Sequence, residues 1–451
     1  MEERLLREIQ ISNPWWFEKK ETIPAYKRKL FSDILKYLRT KQILAVIGLR
    51  RVGKTVLLKQ AINEILSSTP PKNILFFSFE EKWGTVEYME EIFYHFIENV
   101  AGSGKKYIFF DEIQKVKGWE DVLKRFYDRY EDIKFIISGS ASIHISKSIE
   151  SLAGRIFDFY ITPLSFLEFL ELNDVKIEFE KLEIMNYEGI LKLYETNLYQ
   201  KEKVVALFNE YLFKGGFPEI AKEMDEEVIR KYMLNSLIDR ILLKDLPEEF
   251  EIKKTSALRE ILEYSARETS GIFVIDKLSG LLKLSNETVS NYVEYLKRAF
   301  LIYILYNYTG SIAKQIRTSK KIHIVLPSVA IALESYGREA LLYPQVVGNY
   351  VESAIATFLT YRYNKIFFWR TPQKDEVDIV LKNEFGLLGV EVKYRSQIDK
   401  EDIKSLLKFC GKFQLEKGII VTKELLEIRK IEGREIMLIP AWLFLLAVGS
   451  S

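Results

Sequence analysis

Residues Gly48–Thr55 have the sequence GLRRVGKT, which indicates the architecture of the first part of the chain. It fits the phosphate-loop pattern G-x-x-x-x-G-K-[ST]. The apolar run Gln42–Ile47 before it predicts a buried parallel strand, and Val56–Ile65 after it predicts a helix. Phosphate binding requires this order because the bare N–H groups at a helix N-terminus attract anions. A chance match in a loop is the alternative, and the flanking strand and helix favour nucleotide binding over it.

The spacing within this loop assigns a role to each group that phosphate chemistry needs. Gly48 and Gly53 lack a Cβ, so the backbone can wrap closely around phosphate groups. The ammonium group of Lys54 can reach the β- and γ-phosphates, and the hydroxyl of Thr55 can bind Mg²⁺. We therefore expect cofactor-binding contacts from the loop and the first turn of the helix, namely from Gly48, Arg51, Val52, Gly53, Lys54, Thr55 and Val56.

Composition places the chain among globular proteins with more than one domain. Of its 451 residues, 48% are hydrophobic and 29% are charged. Material of this kind and amount is enough for about two to four domains with cores of their own. The net charge of +2 gives no overall basic field that would force a nucleic-acid partner, although local patches remain available.

Targeting and redox features favour the cytoplasm. Met1–Glu18 is largely polar and charged, unlike a signal peptide, and the apolar run Ala441–Val448 is too short to span a bilayer. Cys410 is the only cysteine, so no intrachain disulfide can form, which fits a reducing compartment. We therefore expect a cytoplasmic protein that has no membrane partner.

Four apolar runs, separated by helical patterns, predict a parallel sheet with helices on both faces. Ligands of such a sheet bind where the carboxyl ends of its strands meet. The four runs are Gln42–Ile47, Asn73–Phe79, Lys106–Phe110 and Ile133–Ser138.

Polar residues follow the third and fourth runs. Asp111 and Glu112 resemble a Walker B element, in which the first acid holds Mg²⁺ and the second polarises the attacking water. Two surface acids are the alternative, but the phosphate loop upstream favours the functional interpretation. The hydroxyls of Ser138 and Ser140 can touch the γ-phosphate or water, or can simply belong to a turn. Arg155 is a candidate arginine finger, in cis or in trans, or else a salt-bridged surface residue.

In this order, the loop and the segments after it resemble the AAA-like P-loop ATPases common in archaea and bacteria, whose members carry a C-terminal domain of unknown function. The resemblance implies ATP binding and hydrolysis, with ATP and Mg²⁺ as cofactors, and a helical lid beside the ATP site. It covers most of the chain, through the segments Asp111–Gln114, Ser138–Ser140, Gly154–Arg155, Gly215–Glu219 and Leu242–Asp245.

Residues Thr255–Tyr306 predict a winged helix. Helices are expected at Ser256–Arg267, Ile275–Leu282 and Glu287–Phe300, with strand-like residues after them. The third helix is the expected DNA-recognition element, and the polar residues near its start are Asn286, Thr288, Ser290 and Asn291. The alternative is a module that only packs domains together, because the early turns of this helix carry no cation.

A basic stretch after the winged helix is a better candidate for phosphate contact. A solvated charged face explains this stretch equally well. Its cations are Lys314, Arg317, Lys320 and Lys321.

A second set of charged residues lies among apolar strand residues in the C-terminal part of the chain. Asp378 lies in the predicted strand Glu376–Leu381, and Glu391 and Lys393 share one face of the strand Leu387–Tyr394. A hairpin brings Asp378 beside them. Two carboxylates and a lysine on one face can bind Mg²⁺ and orient a water toward a phosphate.

This arrangement resembles the PD-(D/E)XK nucleases, with Asp378, Glu391 and Lys393 at the motif positions. Glu352 matches the acidic helix residue often found in that family, so the resemblance implies metal binding by Glu352, Asp378 and Glu391. Val377 departs from the pattern, because many members have proline before the aspartate. An inherited fold without activity is the alternative, since charged residues on a wet sheet face are common.

Together these inferences predict an α/β multidomain protein with four parts. The parts are a P-loop, RecA/AAA-like parallel-sheet core at 1–164, a helical lid or linker at 165–250, a winged-helix module at 251–310 and a restriction-endonuclease-like α/β domain at 311–451. We expect an ATP-hydrolysing protein coupled to a DNA-associated nuclease-like domain, with DNA, another protein or a second copy as partner. The rivals are an endonuclease gated by ATP, and an ATP-driven switch or scaffold with an inactive nuclease fold.

Overall fold

The chain forms two compact units, Met1–Thr162 and Pro163–Ser451. The computed structural model describes residues 2–79, 84–139, 152–178, 182–311, 315, 318–334, 336–363, 365–383 and 386–449. Three residues considered above, Ser140, Lys314 and Arg317, lie outside these ranges. Within them, no helix is both long enough and apolar enough to cross a membrane.

A parallel five-stranded sheet forms the centre of the first unit, in the spatial order β2-β3-β4-β1-β5. Its strands are β1 (Ile43–Ile47), β2 (Ile74–Ser78), β3 (Lys106–Asp111), β4 (Ile133–Gly139) and β5 (Ile156–Tyr160). All four pairings are parallel. Because β4 lies between β1 and β3, the residues that end these three strands meet at one edge of the sheet.

Helices separate most of these strands, which confirms the predicted parallel α/β architecture. They are α1 (Glu3–Ser12), α2 (Leu30–Tyr37), α3 (Lys54–Ile65), α4 (Val86–His95) and α5 (Trp119–Arg129). β1 and β4 are buried at every position, and such strands are continuous apolar runs in the sequence. β5 was not predicted, because it is an edge strand whose side chains are half-buried or exposed and include Asp158.

The segment after α1 covers the outer edge of β2. The side-chain amide of Asn13 donates to the carbonyl of Phe76 (2.9 Å), and its oxygen accepts from the Phe76 amide (2.7 Å). The indole N–H groups of Trp15 and Trp16 both donate to the carbonyl of Ile74, at 3.1 and 2.8 Å. These side chains use backbone groups of the edge strand that would otherwise invite pairing with another chain.

The second unit begins with helices. They are α6 (Phe166–Leu172), α7 (Tyr187–Thr196), α8 (Lys201–Lys214), α9 (Glu226–Lys231) and α10 (Leu246–Glu249), with π-helical turns at Tyr232–Ile238 and Ile241–Asp245. Ser165 and Glu168 form a capping box at the start of α6, in which each side chain accepts the other residue's backbone N–H.

Three helices and a small antiparallel sheet follow. They are α11 (Thr255–Arg267), β6 (Gly271–Phe273), α12 (Ile275–Leu282), α13 (Asn286–Arg298), β7 (Ile302–Tyr306) and β8 (Lys320–Ile324). β8 is the central strand, in the order β6-β8-β7. The helices lie where the sequence predicts them. The sheet extends past residue 310, because its central strand comes from the basic stretch that we had assigned to the next domain.

A six-stranded mixed sheet forms the C-terminal part, in the order β13-β14-β12-β11-β10-β9. Its elements are α14 (Pro327–Glu334), α15 (Pro344–Arg362), β9 (Ile366–Arg370), β10 (Glu376–Asn383), β11 (Gly386–Lys393), α16 (Lys400–Phe413), β12 (Lys417–Thr422), β13 (Glu427–Ile431), β14 (Arg434–Pro440) and α17 (Ala441–Gly449). β10 pairs antiparallel with β11, while β11, β12 and β14 run parallel. Two separate apolar clusters pack helices against this sheet. One cluster contains residues of α15 and α17, and the other contains residues of α16.

Candidate functional site

The phosphate loop lies between the end of β1 and the start of α3. Gly53 has φ 100°, a left-handed conformation that glycine adopts without strain. Gly48 is also required for a reason that we did not expect. A Cβ at this position would overlap the carbonyl oxygen of Ile161, whose own N–H donates to Ile47 (2.8 Å). The glycine at position 48 is therefore explained by protein packing as well as by phosphate access.

Lys54 is buried at the first position of α3, and its ammonium group lies inside the loop. Nζ donates to the carbonyls of Gly48 and Leu49, both at 3.1 Å. It also lies 4.0 Å from Oε1 of Glu112. The ammonium is thus held at the loop by neutral oxygens that a bound phosphate can replace.

Asp111 is the centre of the site. Its Oδ2 accepts a hydrogen bond from the hydroxyl of Thr55 (2.8 Å), and its Oδ1 accepts one from the hydroxyl of Ser138. Burial, reinforced by the neighbouring Glu112, raises the pKa of Asp111 to about 6. A buried carboxylate beside a threonine hydroxyl offers the hard oxygen ligands that Mg²⁺ prefers, so the residues present fit this ion.

Glu112 lies at the end of β3 in a strained conformation. Its φ of 52° is left-handed, which is uncommon for a residue with a side chain and concentrates at functional positions. Oε2 accepts a hydrogen bond from Nε2 of Gln114 (2.5 Å), and the backbone N–H donates to the hydroxyl of Ser138 (3.4 Å). Ser138 therefore contacts both acidic residues, as expected for a polar residue on the strand between β1 and β3.

Arg28 is a residue of this site that sequence reasoning missed. Its guanidinium is buried and donates to the carbonyl of Val52 in the loop (2.7 Å) and to the carbonyl of Thr162 (2.8 Å). Gln60 of α3 fixes the same segment by donating to the carbonyls of Pro24 and Tyr26. Arg28 lies 20 residues before the first residue of the motif, Gly48, so nothing in the local pattern marks it.

Arg155 is not brought to the phosphate loop of its own chain. Its backbone carbonyl accepts from Ile43, at the opposite end of β1 from the loop. At about 3.3 Å per residue, β1 separates the backbone of Arg155 from the start of the phosphate loop by roughly 13 Å. The guanidinium pairs with Asp128, at 2.8 and 3.2 Å. This position agrees with the salt-bridged alternative and does not support an arginine finger in cis.

Some polar side chains at the start of α13 form hydrogen bonds within the module. The amide of Asn286 donates to Asp276 (2.5 Å) and its oxygen accepts from Ser279 (2.5 Å). Ser285 caps the helix by accepting from the N–H of Thr288 (3.1 Å). These contacts order the turn between α12 and α13.

Asp378, Glu391 and Lys393 are brought together in the second unit as predicted. Oδ2 of Asp378 accepts from the backbone N–H of Val392 (2.9 Å), and Nζ of Lys393 donates to Oε1 of Glu391. Glu352 reaches the same place from α15. All three carboxylates are buried, with exposures of 8% for Asp378, 4% for Glu391 and 7% for Glu352.

Lys321 enters this acidic cluster from β8. Its ammonium nitrogen lies 2.7 Å from Glu352, 2.8 Å from Glu376 and 2.9 Å from Asp378. The residue is only 1% exposed. Lys321 is therefore neither an external phosphate contact nor part of a solvated face, and both interpretations of it were wrong. Its neighbour Lys320 points elsewhere, with Nζ 5.5 Å from the ring centre of Tyr306.

The charges in the cluster compensate one another. Burial, with the charge of Asp378 second, raises the pKa values of Glu352 and Glu391 to about 8. Burial also opposes ionisation of Asp378, but Lys321 and Lys393 outweigh it and hold its pKa below the usual value. The surrounding carboxylates likewise overcome burial and raise the pKa of Lys321.

A divalent metal does not fit the cluster in this arrangement. Among the residues that the structure describes, no group of three or more His, Cys, Asp or Glu side chains is placed to hold a metal ion. The ammonium of Lys321 lies between the carboxylates, where a metal would need to bind at about 2.0–2.6 Å from each oxygen.

Three family models match the chain. Residues 40–170 match a family described as AAA domain, while residues 205–340 and 345–444 match domains of unknown function (DUF8612 and DUF4143). An uncharacterized protein of Haemophilus influenzae is 24% identical over 92% of this chain and 98% of its own length. Another of Methanocaldococcus jannaschii is 29% identical over 93% of this chain and 91% of its own.

The likeness of the chain to solved structures is low. The chain resembles the Aeropyrum pernix ORC1 protein, solved in complex with DNA, at 11% identity over 73% of this chain and 98% of that one, with a TM-score of 0.33. A likeness at this level transfers neither fold nor partner. The AAA domain match spans β1 to β5. It includes the whole phosphate loop and also Asp111 and Ser138. The first unit therefore contains an AAA-like P-loop ATPase domain.

Proposed function

We propose that this protein is a Mg²⁺-dependent ATPase whose site is formed by the phosphate loop, Thr55, Asp111, Glu112 and Ser138. The observation that carries the proposal is the hydrogen-bonded group in which Thr55 and Ser138 both donate to the buried Asp111, beside the ammonium of Lys54. Mg²⁺, when bound with ATP, would neutralise charge on the phosphate oxygens. Thr55 and Asp111 would hold it.

The side chains of the site divide the remaining work. Lys54 would leave the carbonyls of Gly48 and Leu49 to neutralise the β- and γ-phosphates. Glu112 would leave Gln114 and accept a proton from the attacking water. Ser138 would keep both acids in register through its two contacts.

ATP turnover and binding by two variants test the proposal. Lys54→Ala is expected to lose turnover by at least about 100-fold, as for other groups that stabilise transition-state charge. Glu112→Gln is expected to bind ATP normally and lose turnover by about 100-fold or more. Arg125→Ala, which removes an exposed ion pair with Glu90, is the control and should behave as wild type. Persistent turnover in Lys54→Ala would refute the site.

For the second unit we propose a nuclease-like α/β domain with a winged-helix module before it. Asp378, Glu391 and Lys393 stand at the motif positions of the PD-(D/E)XK nucleases, and α11, α12 and α13 with β6, β7 and β8 have the winged-helix order. In this proposal ATP turnover controls how the module engages DNA, another protein or a second copy of the chain. We place this activity in the cytoplasm, in agreement with the single, buried Cys410.

We further propose that the nuclease-like domain works without cleaving DNA. The observation that favours this switch over a nuclease is the ammonium of Lys321 among the carboxylates of Glu352, Glu376 and Asp378. Plasmid DNA incubated with Mg²⁺ or Mn²⁺, with and without ATP, is expected to stay intact with wild type and with Asp378→Ala. Cleavage by wild type that is lost in Asp378→Ala would restore the nuclease as the function.

A further inference from the structure

We infer that Lys321 is the resident cation of the nuclease-like site and excludes a divalent metal ion from its carboxylates, so that replacing Lys321 with a neutral residue creates a metal site. For this step we rely on the proposed nuclease-like interpretation of the second unit and not on the ATP site. A lysine on β8 of the three-stranded sheet thereby controls which cation the carboxylates beside the six-stranded sheet can bind.

The ammonium group of Lys321 lies among three acidic side chains. It carries three N–H donors, and it lies within 2.7–2.9 Å of one oxygen from each of Glu352, Glu376 and Asp378. Charge-assisted contacts of this length are the strong ones. The ammonium therefore does for these carboxylates what a bound metal ion would do, which is to neutralise them by close contact with several oxygens at once.

The backbone of Lys321 is held on both sides. β8 is the central strand of its sheet, and Lys321 stands opposite Ile272 of β6 and Leu305 of β7. His323, two residues on and on the same face, lies with Nδ1 3.3 Å from the hydroxyl of Ser353 on α15. Strand pairing thus fixes the point from which the Lys321 side chain extends, and burial with three ionic contacts holds its ammonium in the cluster.

Lys321 and a metal ion cannot share the site. Divalent ions bind carboxylate oxygens at about 2.0–2.6 Å, within the space that the ammonium occupies. Two cations this close in a buried site also repel each other strongly. Binding of a metal would therefore require the Lys321 side chain to leave the cluster, and its burial and its three ionic contacts oppose that movement.

Suitable ligands remain when Lys321 is replaced. Glu376 keeps its contact with Arg370 (2.7 Å), whereas Glu352 and Asp378 lose their closest cation. Oε2 of Glu391 is buried and has no hydrogen-bond partner among the described residues. A cavity of about 510 Å³ gives access to the cluster, and its lining includes Gln345, Asn349, Glu352, Asp378, Lys393 and Arg395. Oxygen ligands with an entry path are what a divalent ion needs.

Mn²⁺ binding by the full chain, without nucleotide, tests this inference. Free Mn²⁺ is followed by its electron paramagnetic resonance signal during titration of wild type, Asp378→Asn, Lys321→Met and the double variant. Wild type and Asp378→Asn should bind alike. Lys321→Met should gain one site that binds at least about tenfold more tightly than any in wild type, and the double variant should lack it. Lys320→Met is the matched control, because that side chain lies against Tyr306, and it should behave as wild type.

Two results would overturn the inference. The first is a Mn²⁺ site in wild type that Asp378→Asn abolishes, because the metal would then coexist with Lys321. The second is a folded Lys321→Met, judged by circular dichroism, that gains no site dependent on Asp378. If Lys321→Met does not fold, the comparison of wild type with Asp378→Asn still decides. Mn²⁺ binding by wild type without DNA cleavage would refute the exclusion by Lys321 and leave the proposed non-cleaving function standing.

Discussion

Replacing Arg28 with methionine should loosen the phosphate loop, although no residue of the motif itself is changed. Arg28 donates to the carbonyls of Val52 and Thr162 at 2.7 and 2.8 Å and is 7% exposed. A hydrogen bond from a charged donor contributes about 1.5–3 kcal/mol, so the loss of two lowers the free energy of unfolding by about 3 kcal/mol at the low end. Of these two bonds, the one to Val52 holds the loop itself, and its loss should weaken ATP binding about tenfold.

Fluorescence anisotropy of a labelled ATP analogue measures the dissociation constant, and differential scanning fluorimetry measures the stability. Lys27→Met is the matched control, because the neighbouring Lys27 makes an exposed ion pair with Glu64 that contributes about 0–1 kcal/mol. Nucleotide affinity equal to that of wild type, in an Arg28→Met protein that is folded at the assay temperature, would refute the role of Arg28 in positioning the loop.

Three further predictions concern stability. Gly48→Ala should destabilise the protein by about 1–3 kcal/mol, because the added Cβ overlaps the carbonyl of Ile161; Gly280→Ala, whose Cβ meets nothing within 4 Å, should not destabilise it in the same thermal melt. Asn13→Ala should lower the free energy of unfolding by about 2 kcal/mol in urea titrations, since the two backbone groups of Phe76 lose their partner, and an unchanged midpoint would count against the edge-covering role. Burial lowers the pKa of Lys134 in the folded state to about 7, below the ordinary 10.5, so the unfolded chain binds more protons between these values. The stability of wild type relative to Lys134→Met should therefore rise as the pH increases from 7 to 10, and a falling difference would contradict the direction of the shift.

The sequence was informative where function depends on neighbours along the chain. The phosphate loop and the four buried strands were predicted because a parallel strand buried on both faces is a continuous apolar run. The meeting of Thr55, Asp111 and Ser138 followed from the rule that ligands bind at the carboxyl ends of such strands. β5 was not predicted, because the half-buried and exposed side chains of an edge strand do not form a continuous apolar run.

Long-range partners could not be predicted in the same way. Lys321 stands in a basic stretch, and its local pattern indicates a surface, whereas its carboxylate partners follow 31 to 57 residues later. Arg28 has the same difficulty, because one of its acceptors is Thr162, 134 residues away. A single sequence does not say which buried charges compensate each other, since that depends on tertiary packing.

The close approach of Gly48 to Ile161 has a mechanical consequence. Ile161 and Thr162 are the last residues of the first unit. The N–H of Ile161 donates to the carbonyl of Ile47, just before the phosphate loop, and the carbonyl of Thr162 accepts from Arg28, which also donates to Val52 in the loop. The covalent connection to the second unit therefore leaves from the wall of the nucleotide site. A displacement of the loop would therefore act first on Ile161 and Thr162, the residues at which the first unit ends.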